Sequence, residues 1–210
     1  MRTQIFTSLL GLVCVSAMPL STGLAQDRGH PFRLSSSTFD NNTFLPISAI
    51  FNFPDMNGRN TCSIDGSAGG DKSPALSWTR PRGNTRSFVV ILYDETAAFT
   101  HWGMYNISPS LRGLPQNAGV ADSQYGQQVD NDVSGGAQYD GPCPPLGVAP
   151  VVHRYVFTVY ALDTLLNLPS TENFPADAAT LYQALVLAGE DGHILESASI
   201  TGLYSTTPSQ

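Results

Sequence analysis

Charge is scarce in this sequence, and what there is leans acidic. Asp, Glu, Lys and Arg make up 13% of the 210 residues, with Lys and Arg at 10 against 17 for Asp and Glu, for a net charge of -7 at pH 7. Such a chain lacks the basic surface that neutralises phosphates. Nucleic acid and anionic lipid surfaces are therefore excluded as general partners, while a local anion pocket is not. Membrane-length apolar runs are missing too: the apolar stretch from Ile5 to Met18 is broken by Thr7, Ser8 and Ser16, is followed by Pro19, and falls short of the ~20 residues a spanning helix needs. Also absent are a nucleophile elbow, a phosphate-cradling P-loop, a dinucleotide fingerprint and any His/Cys spacing of the zinc-site kind. No catalytic residue, metal ligand or cofactor is assigned.

Cysteine is sparse, at three residues. Residues 1–25 have the layout of a secretory signal peptide, with Arg2 before the apolar stretch and the small residues of Thr22-Gly23-Leu24-Ala25 before Gln26. Cleavage after Ala25 removes Cys14, leaves no transmembrane anchor and delivers residues 26–210 to a secreted or periplasmic location. Cys62 and Cys143 then remain in an oxidising compartment, where a disulfide between them is the simplest account and two buried free thiols the alternative.

What is abundant is turn-forming chemistry. The 19 glycines and 15 prolines are scattered through a 41% hydrophobic chain, which favours short strands and many turns over long helices. Ser87 to Tyr93 and Tyr155 to Leu162 are β-branched, aromatic and almost continuously apolar, as suits central strands covered on both faces. Ala75 to Trp78 and His101 to Ile107 are weaker strand candidates, and residues 26–73 read as edge strands and loops. Apolar spacing predicts one helix over Ala176 to Ala188, with Gly189 and Gly192 as stop signals. A closing strand or strand pair follows at His193 to Leu195 and Ser199 to Ile200, and Thr206 to Gln210 is expected to be a loose tail. Between residues 108 and 150 lies a long Pro- and Gly-rich excursion of the kind that lines sites. Trp78, Trp102, Phe88 and Phe157 are core candidates. There is no internal repeat, and residues 26–210 read as a single domain.

Polar residues gather at the predicted strand ends. Asp94 ends one strand, His101 begins the next, Tyr139-Asp140-Gly141-Pro142-Cys143-Pro144-Pro145 is a stiff loop, and His153-Arg154-Tyr155 opens another strand. If those ends meet, two histidines, a carboxylate and a tyrosine ring one cavity. Such histidines can donate hydrogen bonds to phosphate oxygens and strengthen them by taking a proton near neutral pH. Asp94 has two readings: it orients an imidazole or meets a ligand amine, or it merely bonds a turn backbone. His30 and His193 fit no constellation and read as satisfied structural histidines.

These motifs, with Ser73-Pro74-Ala75-Leu76-Ser77-Trp78, Ser87 to Asp94 and His101-Trp102-Gly103-Met104-Tyr105-Asn106-Ile107, occur in an order that resembles the phosphatidylethanolamine-binding protein family, in its bacterial Raf-kinase-inhibitor-like branch. The resemblance runs from about residue 32 to Tyr204. It implies a mainly β fold, a large antiparallel sheet packed on a smaller one in a sandwich-like arrangement with few short helices. It also implies a small pocket at the strand ends for phosphate-like anions. By position, the resemblance assigns ligand binding to Asp94, His101, Tyr139, Gly141, Pro144, His153 and Tyr155. The chain departs from the family where Asp94-Glu95-Thr96-Ala97-Ala98 replaces Asp-Pro-Asp-Ala-Pro, and where Val148 to Val152 lengthens the segment before His153. The function expected is a non-enzymatic, exported binder of a small phosphate-bearing or other anionic ligand. The alternatives are a modulator of a secreted or host kinase or protease through a protein partner, and a cryptic hydrolase, for which no Ser or Cys nucleophile is evident.

Overall fold

The structure is a computed structural model and describes residues 31–171 and 174–208. The signal segment with its cleavage site, and His30, lie outside the described residues. Among the described residues no helix is long and apolar enough to cross a membrane.

The two continuously apolar runs form neighbouring strands at the centre of one sheet, β4 (Ser87–Asp94) and β8 (His153–Leu162). Side chains alternate across a strand, so an unbroken apolar run needs cover on both faces. On one face Phe88, Val90 and Leu92 join Trp78, Trp102 and Phe157 in the main core, and on the other Val89 and Ile91 pack with Leu181 and Leu185. The four predicted core aromatics all fall in the first cluster. Phe88, Trp102 and Phe157 are completely buried, each worth about 1.5–3 kcal/mol of hydrophobic stabilisation.

The large sheet has six strands in the order β2-β9-β8-β4-β5-β7, adding β2 (Thr43–Phe44), β5 (Phe99–Ile107), β7 (Gln127–Gln128) and β9 (Ile194–Tyr204). All its pairs are antiparallel except β2 with β9 at the edge. A small antiparallel sheet of β1 (Leu34–Ser36), β3 (Leu76–Trp78) and β6 (Gly113–Leu114) packs across the main core. This is the mainly β, two-sheet fold expected. The Pro- and Gly-rich excursion contributes an edge strand to each sheet, β6 and β7.

The one α-helix among the described residues, α1 (Ala178–Glu190), starts and ends two residues later than the sequence suggests. Asp177 sets the start, because its carboxylate accepts from the Thr180 amide at 2.8 Å and satisfies a free N–H of the first turn. The helix lays Leu181, Leu185 and Ala188 on the outer face of the sheet. It comes close because Gly103 of β5 has no side chain, and a Cβ there would stand 2.8 Å from Leu181 Cδ2. The cover does not extend fully over β8, whose Val156, Thr158 and Tyr160 stay half-buried, so of these two apolar runs β4 is the more fully sealed.

At the C-terminal end one expectation is narrowed and another changes. The closing strand is a single 11-residue element, since each residue from His153 to Leu162 finds a partner along β9. The tail is anchored as far as the structure describes it: Thr206 is buried with its hydroxyl on the Pro144 carbonyl at 2.8 Å, and Thr207 Oγ1 accepts from the Gly147 amide at 3.0 Å. A backbone segment that ties down a distant loop carries no local signal in its own sequence.

Candidate anion pocket

Strand register brings the polar residues together. Asp94, the last residue of β4, sits opposite Tyr155 of β8 on one side and Phe99 of β5 on the other. His101 is two residues further along β5 and His153 two residues before Tyr155, so the three strand ends share one mouth. A cavity of about 330 Å³ opens there, walled by Asp94, His101, His153 and Tyr155, by Cys143, Pro144 and Pro145, and by Ala97, Phe99 and Val133.

Both readings of Asp94 hold at once. Its Oδ1 accepts from the amides of Thr96 and Ala97 at 2.8 and 3.1 Å, which bends the chain from β4 towards β5, while Oδ2 accepts from His153 Nδ1 at 2.7 Å. Asp94 is buried at 2% exposure and His153 at 5%, so the bond is shielded from water and fixes the ring. With Nδ1 committed to the carboxylate, Nε2 is the nitrogen of His153 left for a ligand.

His101 is oriented by a different group. Its Nδ1 lies 2.8 Å from the Asp140 carbonyl oxygen and donates to it, which again leaves Nε2 free. Burial pushes the His101 pKa below the ordinary histidine range, against the smaller opposing pull of the Asp140 carbonyl and the Asp94 charge. The ring is neutral at neutral pH. Tyr155 stands between the two imidazoles, edge-on to His101 at 5.2 Å between ring centroids and roughly parallel to His153 at 6.2 Å. Burial, then the adjacent Asp94 carboxylate, raise the Tyr155 pKa and keep the phenol protonated as a hydrogen-bond donor.

Five of the seven binding residues assigned from sequence therefore line the cavity: Asp94, His101, Pro144, His153 and Tyr155. Tyr139 and Gly141 stand behind it. The Tyr139 hydroxyl donates to the Ala49 carbonyl at 2.8 Å with its ring edge-on to Trp102, and the Gly141 amide donates to Asp71 Oδ1 at 2.7 Å. Gly141 is required by packing, because a Cβ there would lie 2.1 Å from the Ala49 oxygen. These two residues seat the loop, and the loop presents the Asp140 carbonyl and Pro144 to the site.

The sequence reading missed the positioning layer beneath. Asp140 is fully buried and accepts from Asn131 Nδ2 and Gln138 Nε2, both at 2.9 Å. Asn131 also holds its own loop, accepting from the amides of Val133 and Ser134. The Asp in Tyr139-Asp140-Gly141 was the available signal. The disulfide joins Cys62 to Cys143, with Cα atoms 4.5 Å apart, and makes the pocket wall part of a cross-link to the segment that follows β2. His193 forms a half-exposed pair with Asp163 at 2.8 Å, away from the site.

The arrangement offers two imidazole nitrogens and a phenol to one ligand. Among the described residues no Ser or Thr lines the cavity, and its one Cys is in the disulfide. Ser134 of the neighbouring loop has its amide tied to Asn131, and neither it nor Ser123 is in the lining.

A sequence model of the phosphatidylethanolamine-binding protein family matches residues 35–205. A UPF0098 protein of Methanothermobacter thermautotrophicus is 38% identical over 154 residues, covering 70% of this chain and 87% of that protein. The UPF0098 protein YbcL of Escherichia coli K12 is 30% identical over 212 residues, covering 97% of this chain and 98% of its own. The crystal structure of E. coli YbcL, described as a new member of the mammalian PEBP family, aligns with a TM-score of 0.64 at 28% identity, over 84% of this chain and 99% of that one.

Proposed function

The chain belongs to the phosphatidylethanolamine-binding protein family, and on that premise we propose that it is an exported, non-enzymatic binding protein whose pocket takes a small anion, either free phosphate or the head group of a phospholipid. The observation that carries this reading is the convergence of His101, His153 and Tyr155 on one cavity, each imidazole with its Nδ1 already occupied. The Tyr155 hydroxyl donates to a phosphate oxygen, and each Nε2 accepts from a phosphate hydroxyl while its ring is neutral and donates to a phosphate oxygen once the ring is protonated. Among the described residues the wall holds no Ser or Thr hydroxyl and no free thiol, which supports binding over covalent turnover. Export is supported by the disulfide, which is typical of oxidising compartments, together with the secretory pattern of residues 1–25. Intact-mass measurement of the secreted or periplasmic protein checks this, and recovery of the full-length chain on membranes would overturn it.

Titration calorimetry with inorganic phosphate and with phosphoethanolamine tests the pocket and separates the two ligand sources. Both His101→Ala and His153→Ala should weaken binding by ~1.5–3 kcal/mol, the range for hydrogen bonds to charged groups. Equal affinity in all three proteins would remove the pocket assignment. Steady release of product from a phosphoester, abolished by the same substitutions, would replace the binding role with hydrolysis.

A further inference from the structure

The strand ends that carry the anion pocket carry a second cavity on their opposite face. A groove of about 570 Å³ lies between α1 and the outer side of the large sheet. Alternation along the strands separates the two sites: Asp94, His101 and Tyr155 line the anion pocket, while their sequence neighbours Tyr93 and Glu95, Thr100, and Val156 line the groove. The groove exists because the helix leaves the outer face of β8 half-covered.

Its chemistry is opposite to that of the pocket. Tyrosines from three elements face it, Tyr93 from β4, Tyr160 from β8 and Tyr182 from α1, and the rings of Tyr93 and Tyr182 meet edge-on at 6.0 Å between centroids. Among the described residues the charged side chains of the lining are Glu95 and Asp132, with no Lys, Arg or His. At the rim Arg154 Nε reaches Glu95 Oε2 at 3.3 Å with both side chains half-exposed, which leaves Asp132 as the uncompensated charge. Asp132 uses Oδ2 to accept from the Thr100 amide at 2.8 Å. The positive end of α1 borders the groove through Ala178 and Ala179, but the Asp177 carboxylate caps it. Burial raises the Tyr160 pKa and pushes that of Tyr182 up to about 12, so the rings offer neutral π faces and hydroxyl oxygens. Aromatic faces beside a carboxylate attract cations, and quaternary ammonium groups most characteristically, because a diffuse charge is cheap to desolvate.

We propose that this groove binds a small quaternary ammonium ion, held against the faces of Tyr93, Tyr160 and Tyr182 and balanced by Asp132. The sheet stands between the two sites, so the cation is a separate ligand, and the proposal does not depend on what fills the anion pocket.

Calorimetric titration with choline, and with dimethylbutanol as its uncharged carbon isostere, tests the proposal. Choline should bind saturably and about tenfold more tightly than the isostere. Tyr160→Leu, which removes a π face from a half-buried position, should weaken choline by about five- to tenfold, whereas Tyr160→Phe should stay within about twofold of wild type. Asp132→Asn, which keeps an oxygen for Thr100, should also weaken choline, and none of the three should change phosphate affinity. Equal binding of choline and the isostere would mean a merely apolar groove, and either that result or choline affinity indifferent to Tyr160→Leu would overturn the proposal. Absence of saturable choline binding would do the same.

Discussion

The carboxylate of Asp94 holds the His153 ring by one oxygen and the turn after β4 by the other, so ring orientation and strand connection depend on a single buried side chain. Asp94→Ala should cost ~2–3 kcal/mol of folding stability, because it leaves two amides and a buried imidazole N–H without their acceptor. Asp94→Asn, which keeps one acceptor oxygen for the turn, should cost less. Urea unfolding midpoints of the two variants give the order, and equal losses would show that the turn bonds contribute little.

Anion affinity should depend on pH with a sign set by His101. Its pKa lies below the ordinary range because of burial, so the ring is neutral at pH 7 and gains a second N–H donor and a charge only under more acidic conditions. Sulfate, whose charge is constant over this range, should therefore bind more tightly as the pH falls below ~6.5, the ordinary histidine value. The rise should flatten in His101→Ala. Calorimetry at several pH values checks both, and a slope that survives the substitution would assign the effect to another group.

The Cys62–Cys143 bond spans a sequence separation of 81 residues, for which chain entropy gives roughly 4 kcal/mol of stabilisation. Cys143 also walls the cavity proposed to take the anion, next to Pro144 and Pro145. A Cys62→Ser, Cys143→Ser variant should thus lose both thermal stability and phosphate affinity. Loss of stability with unchanged affinity would show that the Pro144-Pro145 wall is held in place without the cross-link.

Asp71 holds the pocket loop at Gly141, yet burial and the neighbouring Asp140 charge push its pKa up from 3.8 to about 6, against the opposing Gly141 amide bond. The native state then binds more protons than the unfolded chain between those values, so Asp71 makes stability fall as the pH rises from ~4 to ~6 and keeps it lower above. Asp71→Asn retains an oxygen for the Gly141 amide. It should be more stable than wild type by ~1–2 kcal/mol at pH 7.5, a figure reduced from the full shift because the carboxylate is partly solvated, with the gap closing near pH 4. Denaturant titrations at the two pH values decide it, and a gap that is constant with pH would mean Asp71 does not titrate in this window.

The central strands and the helix were legible in the amino-acid sequence, and the disulfide was its simplest reading of two cysteines that the structure then joins. Each leaves a local or counting signal: an apolar run without alternation in Ser87 to Tyr93, a helical stripe at Leu181, Leu185 and Ala188, and two cysteines once Cys14 is assigned to the expected leader. The motifs around Asp94, His101 and His153 also announced a shared site, since all three sit at strand boundaries. Tertiary structure alone decided which motif residues touch the cavity. Gly141 and Tyr139 share a loop with Pro144, but their surroundings are set by Ala49 and Asp71, seventy or more residues away. The same is true of Thr206, buried by a hydrogen bond to Pro144 where its own sequence reads as a tail. The tyrosine groove was equally hidden, because Tyr93, Tyr160 and Tyr182 belong to three separate elements. Pleating and the reach of α1 bring them together, and neither is encoded by any one of those segments.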